Sequence, residues 1–293
     1  MEDFLTEHWW LLASVTYVSG FLAVAFWEMA APRREWSVST LRRWTNNFAV
    51  FITSAAATYL LIPALTVGFS QMVFTRSWGV FNVLGHDGLW VVVAGIIIMD
   101  FAQYIEHRMM HQIPILWRLH RMHHADMDYD VTTGFRFHPL EGILATGWRM
   151  VIIATFGVPI VSVMLAELLL IAMNYFVHGN ARVPLDLDRL LRRVIVTPDL
   201  HRVHHSIEKI EANANFGSVF SFWDRALGTY VAQPAAGHKN MVIGLEGFQE
   251  HKHMNLPWML ANPFLTPATV AITNPEQAQQ VNMETKIKPS IRP

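Results

Sequence analysis

Four apolar regions, at about 8–31, 47–74, 89–106 and 143–177, limit the folds open to this chain. A helix needs about 20 apolar residues to cross the hydrocarbon core of a bilayer, and backbone groups surrounded by lipid must find their hydrogen bonds within the chain. Gly157 and Pro159 interrupt the last region, so it is either a broken span or two short helices that form a hairpin entering and leaving by the same face. Composition agrees: 52% of the 293 residues are apolar and only 15% are charged, against about a quarter in soluble domains. The expected fold is an all-α membrane protein with about four transmembrane helices.

Loop charge orients the set. Arg33, Arg34, Arg42 and Arg43 follow the first span and Arg108, Arg118 and Arg121 follow the third, whereas the 75–88 loop holds Arg76 alone. By the positive-inside rule the arginine-rich loops are cytoplasmic, and Trp9, Trp10, Trp78 and Trp90 fall near the opposite interface. The first residues, MEDFLTEHWW, are acidic, so the first apolar stretch reads as a retained span and not a cleaved signal. The formal charge of -1 offers no basic surplus for a nucleic-acid partner. With no cysteine, any metal must be held by His, Asp or Glu.

The expected organisation is one integral-membrane domain over 1–272. Segments 107–142 and 178–272 form a cytoplasmic, histidine-rich helical cap, and 273–293 is a disordered tail of low apolar content.

Three histidine clusters share one spacing: His107-Arg-Met-Met-His111, His120-Arg-Met-His123-His124 and His201-Arg-Val-His204-His205. Residues three and four apart share a helix face, so each cluster is expected to aim two or three imidazoles at one point. Pro114 and Pro198 suit the first position of a helix, and Thr197 suits the N-cap before Pro198. Two further histidines, His138 in FRFHPLE and His178 in NYFVHGN, bring the set to ten, which suits two ions with four or five nitrogens each. A histidine beside Pro139 or Gly179 equally suits a capping or core role. His8, His86, His238, His251 and His253 have no helical partner and read as surface residues, and the arginines inside the clusters, Arg108, Arg121 and Arg202, read as a solvated face.

Asp100 and Tyr104 lie on the face of His107 and His111, while Glu167, Asn174 and His178 form a second stripe. A carboxylate at membrane depth needs a partner or a function. Asp100, Tyr104, Glu141, Glu167 and Asn174 are therefore expected behind the ligands, fixing their tautomers, with helix–helix hydrogen bonding as the alternative for Asp100 and Glu167.

Neutral imidazole suits zinc, copper, iron and nickel alike, so ligand type leaves the ion open and zinc can stand in for iron in purified protein. A nitrogen-rich site at the membrane surface, fed by apolar helices, suits a metal that reacts with dioxygen while a hydrocarbon chain enters from the bilayer. No GxGxxG fingerprint occurs, so electrons must come from a separate donor, whether reductase, ferredoxin or cytochrome.

The ordered string HRMMH, LHRMHHAD, FRFHPLE, VHGN, TPDLHRVHHS, NANFG and FWDRALGTY resembles the fatty acid hydroxylase and sterol desaturase superfamily of membrane di-iron oxygenases. The likeness runs from about Glu28 to Tyr230, with PWMLANPF a weaker echo. It implies a di-iron centre on the ten histidines and hydroxylation of an unactivated C–H bond of a lipid, fatty acyl, sterol or related. Asn215, Gly217, Trp223, Asp224 and Gly228 match as structural turns. A desaturase on the same scaffold remains open. A histidine-rich divalent-metal transporter would place its ions nearer the midplane, and a zinc hydrolase would want the HExxH that this chain lacks.

Overall fold

The structure, a computed structural model, describes residues 2–62 and 65–265. The expected tail at 273–293 lies outside the described residues. Within them the chain is helical, with isolated bridges such as Pro32 with Ala181 and no strand ladder.

Eight helices position the site. They are α1 (Trp9–Ala30), α2 (Thr40–Leu61), α3 (Leu65–Thr75), α4 (Leu89–Gln112), α5 (Pro114–His124), α6 (Pro139–Phe156), α7 (Ile160–His178) and α8 (Pro198–His204). Among the described residues, four stretches are long and apolar enough to cross a membrane: Trp9–Ala30, Thr40–Val83, Leu89–Gln112 and Ile160–His178. The third continues past the expected end at 106, so His107 and His111 occupy its last two turns.

Local chemistry sets the helix ends. Pro114, Pro139 and Pro198 each stand in the first turn, where a missing N–H costs nothing. The Thr197 side chain accepts a hydrogen bond from Leu200 N. Gly157 ends α6 in the left-handed region at φ 68°, which a residue with a Cβ adopts only under strain.

The last apolar region is thus a helical hairpin, with legs of 18 and 19 residues. At about 1.5 Å per residue each is roughly 27 Å long, so neither leg is as short as the sequence suggested. The legs hardly touch: α3 and α4 each pack on both α6 and α7. At the α4–α7 crossing, a Cβ on Gly95 would lie 2.7 Å from the Ser162 side chain. Trp9 packs beside Ile160, and Trp90 is on the first turn of α4, so both lie at the end of the bundle opposite the histidines.

Under the histidine layer lies a buried polar lattice. Arg43, on the first turn of α2, donates from Nε and Nη2 to Asp126 (2.9 and 2.8 Å) and from Nη1 to Asp130 (2.5 Å), all three side chains being fully buried. Arg136 Nη1 donates to Asn47 Oδ1 at 3.0 Å, and Asn47 Nδ2 donates to Thr132 Oγ1 at 2.9 Å. Glu28, near the end of α1, accepts from the backbone N–H groups of Val131 and Asn180. The lattice ties the start of α2 to the 126–136 segment that follows the second histidine cluster.

Several polar residues read as solvated are in fact buried. Arg121 donates to Asn262 Oδ1 at 2.7 Å and to Leu265 O at 2.8 Å, and Arg118 donates to Pro263 O, so the ANPF segment is where these arginines dock. Arg202 pairs with Asp199 at 2.5 Å, and Arg33 meets the same carboxylate bidentately. His238 and His253 are buried as well: His238 bonds Gln233 at 3.0 Å and His253 packs on Trp258. Helical spacing says where a side chain points, not whether a distant segment covers it.

Burial works to raise the Asp126 carboxyl, but Arg43 and Arg136 outweigh it and hold it down at about 2. Its contribution to stability is therefore complete above the ordinary carboxylate range and is lost only as pH falls towards 2. Arg43→Met leaves Asp126 and Asp130 buried beside one remaining arginine, and is expected to cost about 3–5 kcal/mol. The check is the thermal unfolding midpoint of detergent-solubilised protein, and a midpoint equal to that of the wild type would show the lattice to be dispensable.

Candidate metal centre

The ends of α4 and α7 meet α5 and α8 in one buried layer, and nine imidazoles meet there. They form two groups: His107, His111, His120, His124 and His204 in one, and His123, His178, His201 and His205 in the other. In each group one nitrogen per ring lies within 4.8 Å of all the others. Neither HxxHH cluster aims at a single point. Consecutive helix positions are about 100° apart, so His120 and His124 serve the first group while His123 serves the second. His201 and His205 serve the second group, and His204 crosses to the first.

Backbone carbonyls settle three tautomers. His107 Nδ1 is 2.9 Å from Phe216 O, His204 Nδ1 is 2.7 Å from Ala214 O, and His178 Nδ1 is 2.7 Å from Asn174 O. A carbonyl oxygen only accepts, so each Nδ1 carries the proton and each Nε2 presents a lone pair. Yet His107 Nε2 and His204 Nε2 are 3.0 Å apart, with no proton to place between them. His178 Nε2, also bare, lies 3.1 Å from His201 Nε2 and 3.2 Å from His123 Nε2. Metal–nitrogen bonds of about 2.0–2.1 Å place neighbouring ligand nitrogens roughly 3 Å apart, so these spacings suit neighbouring ligands of one ion.

Burial and the surrounding rings push His123, His124, His201, His204 and His205 well below the ordinary imidazole range. The neutral form that results is the one that ligates metal. His111 Nε2, both nitrogens of His205 and Nδ1 of His123, His124 and His201 are buried without a hydrogen-bond partner, a cost of about 1–3 kcal/mol for each group left so. The residues fit a pair of metal ions.

His138 stands apart. It is the N-cap of α6, its Nδ1 accepting from Leu140 N at 3.2 Å and its Nε2 lying 3.2 Å from Leu260 O, so the capping role claims the ring and nine histidines converge in place of ten. Of the five residues expected behind the ligands, Glu141 reaches one with its side chain, Oε1 lying 2.6 Å from His120 Nδ1. Burial alone pushes Glu141 up to about 8 and His120 down to about 3, leaving both neutral, and a cation on His120 Nε2 favours the ionised carboxylate. Asn174 serves His178 through its backbone carbonyl, while its side chain donates to Gly134 O at 3.0 Å.

The other three have partners other than the histidines. Asp100 accepts from Trp223 Nε1 at 2.8 Å and from the N–H groups of Val219 and Phe220, which pins the cap loop to α4. Tyr104 Oη bonds Thr229 at 2.8 Å, and Glu167 accepts from Thr66 at 2.9 Å. The carbonyls of Ala214 and Phe216 were not foreseen as site groups. Asn215 between them sits at φ 56°, and the asparagine-rich NANFG, tolerant of that region, was the signal.

A cavity of about 390 Å³ reaches the histidines from between the hairpin legs. His107, His120, His123, His178 and His201 face it, and Phe51, Phe135, Phe137, Leu170 and Ile171 contribute apolar wall. Tyr59 lines it too and is 56% exposed, so its edge reaches the outer face of α2.

Residues 92–229, which contain all nine converging histidines, match the family model for fatty acid hydroxylase. Over that stretch the chain is similar to the fatty acid hydroxylase superfamily. It is 25% identical over 246 residues to ornithine lipid hydroxylase OlsE of Rhizobium tropici, covering 80% of this chain and 71% of that protein. It is 29% identical over 180 residues to the alkylglycerol monooxygenase of Homo sapiens, covering 60% of this chain and 37% of that one. The chain therefore spans little more than a third of the monooxygenase. No solved structure gives a significant match. By their printed names these relatives are a hydroxylase and a monooxygenase, which supports an oxidoreductase, and the apolar helices support a multi-pass membrane scaffold.

Glu141→Ala removes the acceptor behind His120. Metal retained per chain after dialysis against a chelator should fall by about 10- to 100-fold in affinity, and wild-type retention would show that Glu141 does not orient that ring.

Proposed function

We propose that this chain is a membrane di-iron oxygenase that hydroxylates an unactivated C–H bond of a lipid, using dioxygen and electrons from a separate donor. The observation that carries the reading is the pair of bare nitrogens, His107 Nε2 and His204 Nε2, facing each other at 3.0 Å. One ion belongs to the five-histidine group and the other to the four-histidine group. Iron held there supplies the reductive activation of dioxygen that attack on an alkyl C–H bond requires.

The chain's own residues do the positioning. The carbonyls of Ala214, Phe216 and Asn174 keep three Nδ1 atoms protonated, so their Nε2 atoms face inward. The wall formed by Phe51, Phe135, Phe137, Leu170 and Ile171 excludes water and lays an alkyl chain beside His107, His120 and His201. The printed names of the relatives, an ornithine lipid hydroxylase and an alkylglycerol monooxygenase, support a lipid substrate. Both histidine groups lie at the ends of α4 and α7, away from the middle of the spans, which favours this reading over metal transport.

The arginine-rich loops support a cytoplasmic histidine layer, which would then be the docking face for the electron donor. Residues 1–272 act as one domain in this reading.

Protein purified in mild detergent is expected to hold close to two iron atoms per chain and, once reduced, to take up oxygen only when lipid is added. His204→Ala should abolish uptake and lower metal content while leaving membrane insertion intact. Zinc-loaded or metal-free protein that stays silent after iron reconstitution and reduction would sink the oxygenase reading.

A further inference from the structure

The cavity wall that faces away from the histidines is not that of a simple alkyl tunnel. Arg149, the one arginine in the 143–177 apolar region, projects into it from α6 beside Gln103 and Glu106 of α4 and Glu167 of α7. A run of contacts crosses three helices: Glu106 Oε2 accepts from Gln103 Nε2 at 3.0 Å, Gln103 Oε1 accepts from Arg149 Nη1 at 3.3 Å, and Arg149 Nε lies 3.5 Å from Glu167 Oε1. A charge at such depth normally faces a partner, a cavity or a substrate path.

The guanidinium is poorly satisfied where it stands. Its contacts to Gln103, Thr146 and Glu167 measure 3.3, 3.5 and 3.5 Å, and its Nε is buried with no hydrogen-bond partner. Charge-assisted hydrogen bonds are ordinarily about 2.7–2.9 Å, and guanidinium carries five N–H donors. Arg149 thus lines the cavity with donor capacity left over, which an added acceptor can use.

Its neighbours restrict the acceptor. Glu106, Glu141 and Glu167 all line the same cavity, so a carboxylate or phosphate entering it meets three acidic side chains for one arginine. A neutral carbonyl oxygen takes the free donors without that repulsion. Gln103 lies one turn before His107, and Arg149 lies two turns beyond Glu141, whose carboxylate touches His120. At about 1.5 Å per residue the subsite is roughly 6–12 Å along the helices from the histidines.

We propose that Arg149, positioned by Gln103 and Glu167, is a specificity subsite that binds a neutral ester or amide carbonyl of the lipid and so fixes which carbon, several bonds away, lies beside the histidines. The assignment rests on the oxygenase reading for its purpose, but binding can be tested without turnover.

The test is native mass spectrometry of the full chain in detergent, titrated with methyl palmitate and with heptadecane, probes of similar length with and without a carbonyl. Wild-type protein should bind the ester at least about tenfold more tightly, as a hydrogen bond to a charged group implies. Arg149→Met combined with Glu167→Gln, which removes the arginine together with the carboxylate it faces, should remove that preference and leave heptadecane binding unchanged. Gln103→Leu should narrow it and serves as the second variant if the double variant does not fold. Equal binding of the two probes by wild type, or an ester preference that survives loss of Arg149, would overturn the subsite. An ester preference in iron-loaded, reduced protein that never takes up oxygen would keep the subsite and retire the oxygenase reading, and lipid-dependent oxygen uptake with no ester preference would do the reverse.

Discussion

Two nitrogens that both lack a proton, His107 Nε2 and His204 Nε2, face each other at 3.0 Å inside a buried layer. Opposed lone pairs repel, and burial denies them water, so the arrangement has low free energy only with a cation between them. Much of the surrounding structure follows from that need. The carbonyls behind the rings come from a turn that Asn215 bends into the left-handed region, so that Ala214 and Phe216 can both accept from site imidazoles. That turn is in turn fastened by Asn215 Nδ2 to Leu200 O, and by Asp224, which accepts from Phe216 N and Gly217 N. The chain itself thus fixes which nitrogen of His107 and of His204 faces inward.

What could be read from the sequence was whatever depends on near neighbours. Hydropathy marks a span because the bilayer acts residue by residue, and i, i+4 spacing places His107 with His111 and His120 with His124 because one helix carries both. The residues matching family turns, Asn215 and Asp224 among them, also do the work of turns. What could not be read was the identity of distant partners. Asp100 shares a helix face with His107, yet it is claimed by the 219–223 loop more than a hundred residues away. Nothing near Arg43 or Arg121 in the sequence says that Asp126 and the ANPF segment are their partners. His138 follows a local rule after all, since the residue before a proline at a helix start is a natural N-cap.

The hairpin shows why a fold of this kind can hold a large substrate beside a rigid centre. Its legs share the Gly157 turn at one end and are separated along their length by α3 and α4, so the space between them belongs to the topology and not to loose packing. Rigid walls on four helices meet the histidine layer at one end. Polar groups at the other keep the same volume from being indifferent to what enters it.

The crossing of the two HxxHH clusters has a consequence for assembly. Because α5 and α8 each give ligands to both groups, the two ions would act as a double cross-link between stretches of chain some eighty residues apart in sequence. Closing a loop of that length carries an entropic cost that a second link across the same pair of helices scarcely increases. The first ion captured would therefore make the second easier to capture, and a chain with a single ion should be a minor species, so that metal loading and the final ordering of the cap behave as one cooperative event.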